Sequence, residues 1–417
     1  MIALTWSKLW QRAARLISRF APLLTLLVLP SAHAQTFTVL HYFTGAGDGA
    51  APASAPIVGP SGSLYGVTPS GGSFDYGVLY RIDKNGKESL LHNFLGGEGL
   101  APSGGLLFDP SGNLYGTTLQ GGTPEGGGCA HGCGTVFKRD ASGIQTILYV
   151  FSGTYDGGAP NVAMIRDAAG NLYGTTYNGG VKSCYVGFGC GVIFKLDTAN
   201  HESVLYSFMD GTDGKNPLGL VADAAGNLYG TTYDGGIYGK GCVFKLDSSG
   251  TFTVLYSFTG GADSDNPNGH LVLDKAGNIF GTTNSGLYEA SGFGVVFKLD
   301  PAGNLTVLHN FADPTDGEYP NSLVMDAAGN LYGVTFGGGS GTGCYYGSCG
   351  TVFKLDTSLN KTVLHSFSGV DGQLADGLTM DNAGNLYGTT LGGGRGGARG
   401  TRCYYYRGCG VVFKLTP

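Results

Sequence analysis

The chain has 417 residues, 77 of them glycine, with 13% charged residues and a formal net charge of −6. An acidic balance with no basic cluster beyond the scattered arginines of GGGRGGARGTR argues against nucleic acid as a partner. This much glycine would indicate low complexity in a sequence without a period, and this one has a period.

Residues 1–34 carry Lys8, Arg12, Arg15 and Arg19 and no acid, then the apolar run FAPLLTLLVLP and the small residues Ala32 and Ala34. The pattern predicts a secretory signal peptide cut between Ala34 and Gln35. The apolar run is shorter than the roughly 20 residues of a spanning helix, so no stable membrane anchor is expected. Loss of those four basic residues takes the net charge from −6 to −10. No linker or composition shift divides residues 35–417, which read as one domain.

Along that domain GSLYGVT at 62, GNLYGTT at 112, 170, 226 and 384, GNIFGTT at 277 and GNLYGVT at 329 make seven copies, 50 to 58 residues apart. An apolar run such as GGLLFD or NSLVMD precedes each copy, and phrases such as GTVFKLD and TVLHSF follow. All are rich in β-branched and aromatic residues and bounded by Gly, Asp, Asn or Pro, as strands joined by tight turns are. Four short antiparallel strands, a to d from the axis outward, repeated seven times, predict an all-β, seven-bladed propeller. The domain opens on a fourth-strand phrase, TFTVLHYF, and ends on a third, GVVFKLTP. Blade seven is therefore expected to take residues 377–415 for a, b and c and residues 36–43 for d, closing the ring and hiding its edges.

The repeat explains most polar and glycine positions structurally. A glycine inside strand b (Gly66, Gly116, Gly174, Gly230, Gly281, Gly333, Gly388) is expected to relieve crowding between stacked blades. Asp109, Asp167, Asp223, Asp274, Asp326 and Asp381 read as a-to-b turn residues. His41, His92, His309 and His365 share one strand-d slot with Tyr149, Tyr206 and Tyr256, which indicates packing and not a metal site.

Eight cysteines fall in pairs inside b-to-c loops: Cys129 with Cys133, Cys184 with Cys190, Cys344 with Cys349 and Cys403 with Cys409. In an exported chain these read as local disulfides that stiffen loops. Cys242, in a slot filled elsewhere by Val or Thr, should be a buried free thiol. Asp48, Glu98, Asp156, Asp213, Asp263, Asp316 and Asp371 follow strand d in every blade, and six of the seven precede a proline by four residues. They read first as turn residues feeding strand a, and second as a carboxylate ring that could bind calcium at the channel mouth. The cysteine loops also carry Tyr185, Tyr345, Tyr346, Tyr404, Tyr405 and Tyr406, candidates for stacking on a glycan or protein.

The recurring unit GNLYGTT, GTVFKLD, TVLYSF resembles the GloVer tandem repeat of exported bacterial proteins, also called choice-of-anchor tandem repeat proteins. The resemblance implies a secreted propeller-like protein and carries no catalytic residues over. The chain stops at Pro417 with no apolar tail, so release or retention in the periplasm is expected, as a monomer and without a cofactor. Near-identical acidic residues in every blade favour a multivalent, non-catalytic binding or scaffold module. The alternative is a polysaccharide hydrolase or lyase with its site at the channel mouth, for which the blade-specific His131, His270, Asp376 and Glu318 are the candidates.

Overall fold

Each repeat folds as four antiparallel strands in sequence order. Blade 1 is Ile57–Val58, Leu64–Thr68, Val78–Ile82 and Glu88–Asn93, and six further sheets repeat it. The computed structural model describes residues 35–122, 129, 131–181, 184, 189–284, 292–344, 348–395, 403 and 408–417. The proposed signal peptide lies outside them. Among the described residues there is no α-helix, and a short 3-10 turn stands at Pro314–Asp316. The inner strands of successive blades approach one another, and the seven sheets form a ring: a seven-bladed β-propeller, as the repeat count predicts.

Blade 7 joins Gln373–Met380, Leu386–Gly392 and Val411–Thr416 to Thr36–Tyr42. The two chain-distant strands pair antiparallel from Thr36 opposite Thr416 to Tyr42 opposite Val411. Strand a of this blade begins at Gln373, four residues ahead of the expected start.

Every seam between blades holds an edge-on aromatic pair of the same kind. The phenylalanine after strand d meets the strand-c ring of the next blade: Phe94 meets Phe137 at 5.3 Å, Phe151 meets Phe194 at 5.1 Å, and Phe43 meets Tyr80 across the closing seam at 5.1 Å. Such pairs add roughly 0.5–1.5 kcal/mol each beyond their buried area. The strand-b glycine serves the same rings, within its own blade. Gly116 stands opposite Phe137 in register, and a Cβ there would lie 2.5 Å from the ring tip. Relief between blades falls on the glycine that opens strand c, where it is also expected, and not on this one. Gly134 has φ +95°, and a Cβ on it would lie 2.8 Å from Pro160 of the next blade.

The two faces of the ring differ. All a-to-b and c-to-d turns have five residues, whereas the b-to-c loops run from 7 residues (235–241) to 18 (393–410). The short turns are sealed by their aspartates: Asp109 accepts from Ser111 N and Asn113 N at 2.9 Å, from Asn113 Nδ2 at 2.7 Å and from the Tyr115 hydroxyl at 3.1 Å. The b-to-c and d-to-a loops share the other face, tied by backbone bonds such as Ala51 N to Cys409 O (2.8 Å), Ala101 N to Tyr76 O (3.0 Å) and Ala159 N to Cys133 O (2.7 Å).

Candidate functional site

The loop face is the part of the scaffold that varies, and its chemistry rests on a device repeated in every blade. In every blade the c–d pairing slips by one residue just before the His/Tyr slot, as between Val136 and Phe137 in blade 2. A bulge re-aims the side chain that follows it. Here it turns the His or Tyr onto the carboxylate after strand d. His41 reaches Asp48 (3.3 Å), His92 Glu98 (2.8 Å), Tyr149 Asp156 (3.0 Å), Tyr206 Asp213 (3.0 Å), Tyr256 Asp263 (2.9 Å), His309 Asp316 (2.7 Å) and His365 Asp371 (3.0 Å).

These carboxylates also tie down the loop backbone; Asp156 accepts from Ser152 N at 2.8 Å and Asp263 from Thr259 N at 2.8 Å. Burial opposes ionisation of Asp48 and Asp371, but bonds from their histidines and from Thr44 or Ser368 outweigh it and hold both carboxyls below the usual range. Among the described residues no three His, Cys, Asp or Glu side chains gather as metal ligands.

A residue at the start of strand d in the next blade lies against each of several pairs, and its identity changes from seam to seam. Phe37 stacks on His365 at 3.6 Å and Phe252 on Tyr206 at 3.8 Å, while the Lys361 ammonium bonds the Asp316 carboxylate. Glu88 and Glu202 occupy the same position beside Asp48 and Asp156. Burial and then the Asp156 charge push Glu202 up to about 7. Sequence reading identified both slots but not that they meet, because the bulge and the neighbouring blade are not local features.

The four disulfides form within single b-to-c loops, as the spacing predicts, and Cys242 is free and buried. They press on the d-to-a loops: a Cβ on Gly45 would lie 2.5 Å from Cys403 Sγ, and one on Gly369 3.3 Å from Cys344 Sγ. Four disulfides indicate an oxidising, extracytoplasmic setting. No helix among the described residues is long and apolar enough to cross a membrane.

Tyr185, Tyr345, Tyr346, Tyr404, Tyr405 and Tyr406 lie outside the described residues. The same face nevertheless carries exposed apolar side chains that the sequence reading passed over. Phe74 (55% exposed), Tyr76, Ile237 and Tyr238 stand on b-to-c loops, and Leu95, Tyr155 (78%), Met209 and Val370 on d-to-a loops. FDY in the loop of blade 1 and IY in that of blade 4 were the available signals.

The blade-specific candidates scatter. His131 is exposed on the loop face, and Glu318 accepts from Ser348 Oγ at 2.9 Å. His270 lies two residues before the inner strand of blade 5 and Asp376 on that of blade 7; desolvation lowers the histidine pKa and pushes Asp376 up to about 7 against a bond of 2.6 Å from Asn321 Nδ2. No hydrogen bond or ion pair joins any two of the four among the described residues.

Solved structures share the ring. A catalytically inactive virginiamycin B lyase from Staphylococcus aureus with quinupristin has a TM-score of 0.60 at 12% identity, over 92% of this chain and 99% of that one. A gluconolactonase from Xanthomonas campestris (TM-score 0.43, 14% identity, 91% of this chain and 89% of that one) is more distant. So is the PQQ-bound aldose sugar dehydrogenase of Streptomyces coelicolor (0.44, 12%, 92% and 98%). At these identities the likeness is one of fold alone. No curated protein matches the chain. The Gloeobacter/Verrucomicrobia repeat matches residues 28–188 and again 186–403, nearly the whole length, and the chain belongs to that repeat family.

Proposed function

We propose that the protein is an exported, non-catalytic binding or scaffold module that recognises an extracellular glycan or protein through its loop face. One observation carries this reading: exposed large apolar side chains, Phe74, Tyr76, Tyr155, Met209, Ile237 and Tyr238 among them, crowd the face whose loops vary. Aromatic rings on loops already tied by backbone bonds between blades, such as Ala101 N to Tyr76 O, bind with little ordering cost. A glycan array and capture of extracellular proteins on the mature chain, repeated with Tyr76, Tyr155 and Tyr238 changed to alanine, test it; equal binding by the variant refutes it.

A second reading, a polysaccharide hydrolase or lyase working at the channel mouth, is supported by Asp376, whose raised pKa of about 7 suits proton transfer at neutral pH. Release of oligosaccharides from a polysaccharide panel, lost in Asp376→Asn, would favour it over the first.

A further inference from the structure

The last apolar position of strand c is a seam residue. Ile82, Leu196, Leu246, Leu299, Leu355 and Leu415 are all buried there, none more than 2% exposed. Blade 2 has Arg139 in this place. In front of it a cavity of about 200 Å3 opens between blades 1 and 2 on the short-turn face, with Tyr65, Arg81, Leu91, Phe108, Arg139 and Ser142 in its wall.

The two arginines are under-satisfied. The Arg139 side chain makes no hydrogen bond or salt bridge to a described residue, and burial pushes its pKa down against the attraction of the neighbouring Asp140. The one carboxylate in the wall, Asp140, is engaged by Ser142 Oγ at 2.7 Å and Ile144 N at 2.9 Å. Arg81 gives one N–H to Ser63 Oγ at 2.9 Å and lies 5.9 Å from the centre of the Tyr65 ring, but its buried Nε has no acceptor. A half-buried guanidinium without an acceptor is costly, and the planar fork matches an oxyanion. Tyr65 and Phe108, edge-on at 5.1 Å, form an apolar wall beside it.

We infer that this cavity binds a small organic anion, its carboxylate or phosphate held by Arg139 and Arg81 and its carbon body lying against Tyr65 and Phe108. The site lies on the face opposite the variable loops, so it stands or falls independently of the function proposed above.

Calorimetric titration with benzoate, glucuronate and inorganic phosphate at matched ionic strength tests it. At least one probe is expected to saturate a single site, with benzoate or glucuronate over phosphate marking a carboxylate site and the reverse a phosphate site. Arg139→Leu restores the residue of the other blades, so it should fold at least as well, and it should weaken that probe by about tenfold or more. Arg81→Lys, the residue of the other strand-c slots, should weaken it less. If no probe saturates the wild-type protein, or if Arg139→Leu binds equally well, the inference is overturned.

Discussion

Glu202 of blade 3 and Asp156 of blade 2 are two carboxyls in one seam, and only one of them has a full set of donors. Asp156 accepts from the Tyr149 hydroxyl at 3.0 Å and Ser152 N at 2.8 Å, whereas Glu202 Oε1 is buried without a partner.

That asymmetry predicts a pH dependence. Burial first, then Asp156, raises Glu202 from 4.5 to about 7, so the folded state binds its proton more tightly than the unfolded chain. The favourable contribution is complete below the unfolded value of 4.5 and is lost as pH rises through about 7. Glu202→Gln removes the titration. Thermal melts should show the variant equal to wild type at acidic pH and more stable above neutrality, by roughly 1–3 kcal/mol after allowance for solvent screening.

The closing seam offers a simpler test. Tyr80 takes the place of the strand-c phenylalanine found in the other six blades, and its buried hydroxyl has no hydrogen-bond partner. Tyr80→Phe keeps the contact with Phe43 and removes an unsatisfied group, so it should stabilise by about 1 kcal/mol. A fall in melting temperature would mean that the hydroxyl is satisfied in solution.

Closure itself depends on Thr36–Tyr42. Without residues 36–43 the edge of Val411–Thr416 is open and Phe43 no longer covers Tyr80. Deletion should lower the melting temperature by several degrees or more and promote aggregation through the bare edge. Calorimetry and light scattering would check both.

The architecture was legible because its signals are local and repeated. Strand phrases, five-residue turns and loop cysteines each occupy a few neighbouring residues, and the spare TFTVLHYF showed how the ring closes. What stayed hidden is what crosses a seam. Nothing in the sequence around Lys361 or Phe37 points to Asp316 or His365, since each pair meets only after two blades stack. The His/Tyr slot and the acidic slot were both visible, but their union depends on the bulge between them. Arg139 was passed over for a different reason: GTVFKRD still reads as a strand, and only the burial of the six equivalent residues marks the arginine as out of place.

The thiol inventory should follow the loops. Nonreduced peptide mapping is expected to give Cys129 with Cys133, Cys184 with Cys190, Cys344 with Cys349 and Cys403 with Cys409. Cys242 is buried, its thiol pushed up to about 12 by burial, and it lies 3.2 Å from Thr232 Oγ1. It should resist alkylation until the protein unfolds. Cys242→Val, the commonest residue of that slot, should shift stability by no more than about 1 kcal/mol.

Binding on the loop face is separable from stability because the residues concerned are solvent-facing. Tyr155 is 78% exposed and Tyr238 58%, so their truncation removes little buried area. Replacing Phe74, Tyr76, Tyr155 and Tyr238 with alanine should leave the melting temperature within about 2 °C of wild type, since exposed substitutions usually change stability by less than roughly 0.5 kcal/mol each. The same change should weaken capture of the ligand found by the screen by tenfold or more, given the roughly 1–2 kcal/mol that each well-placed aromatic contributes at an interface. A parallel variant with Tyr345, Tyr346, Tyr404, Tyr405 and Tyr406 changed to alanine tests the cysteine loops separately. Loss in the first variant alone places recognition on blades 1–4; loss in the second alone places it on the cysteine loops of blades 6 and 7. Undiminished binding by both variants, each still folded, would remove the loop face from consideration.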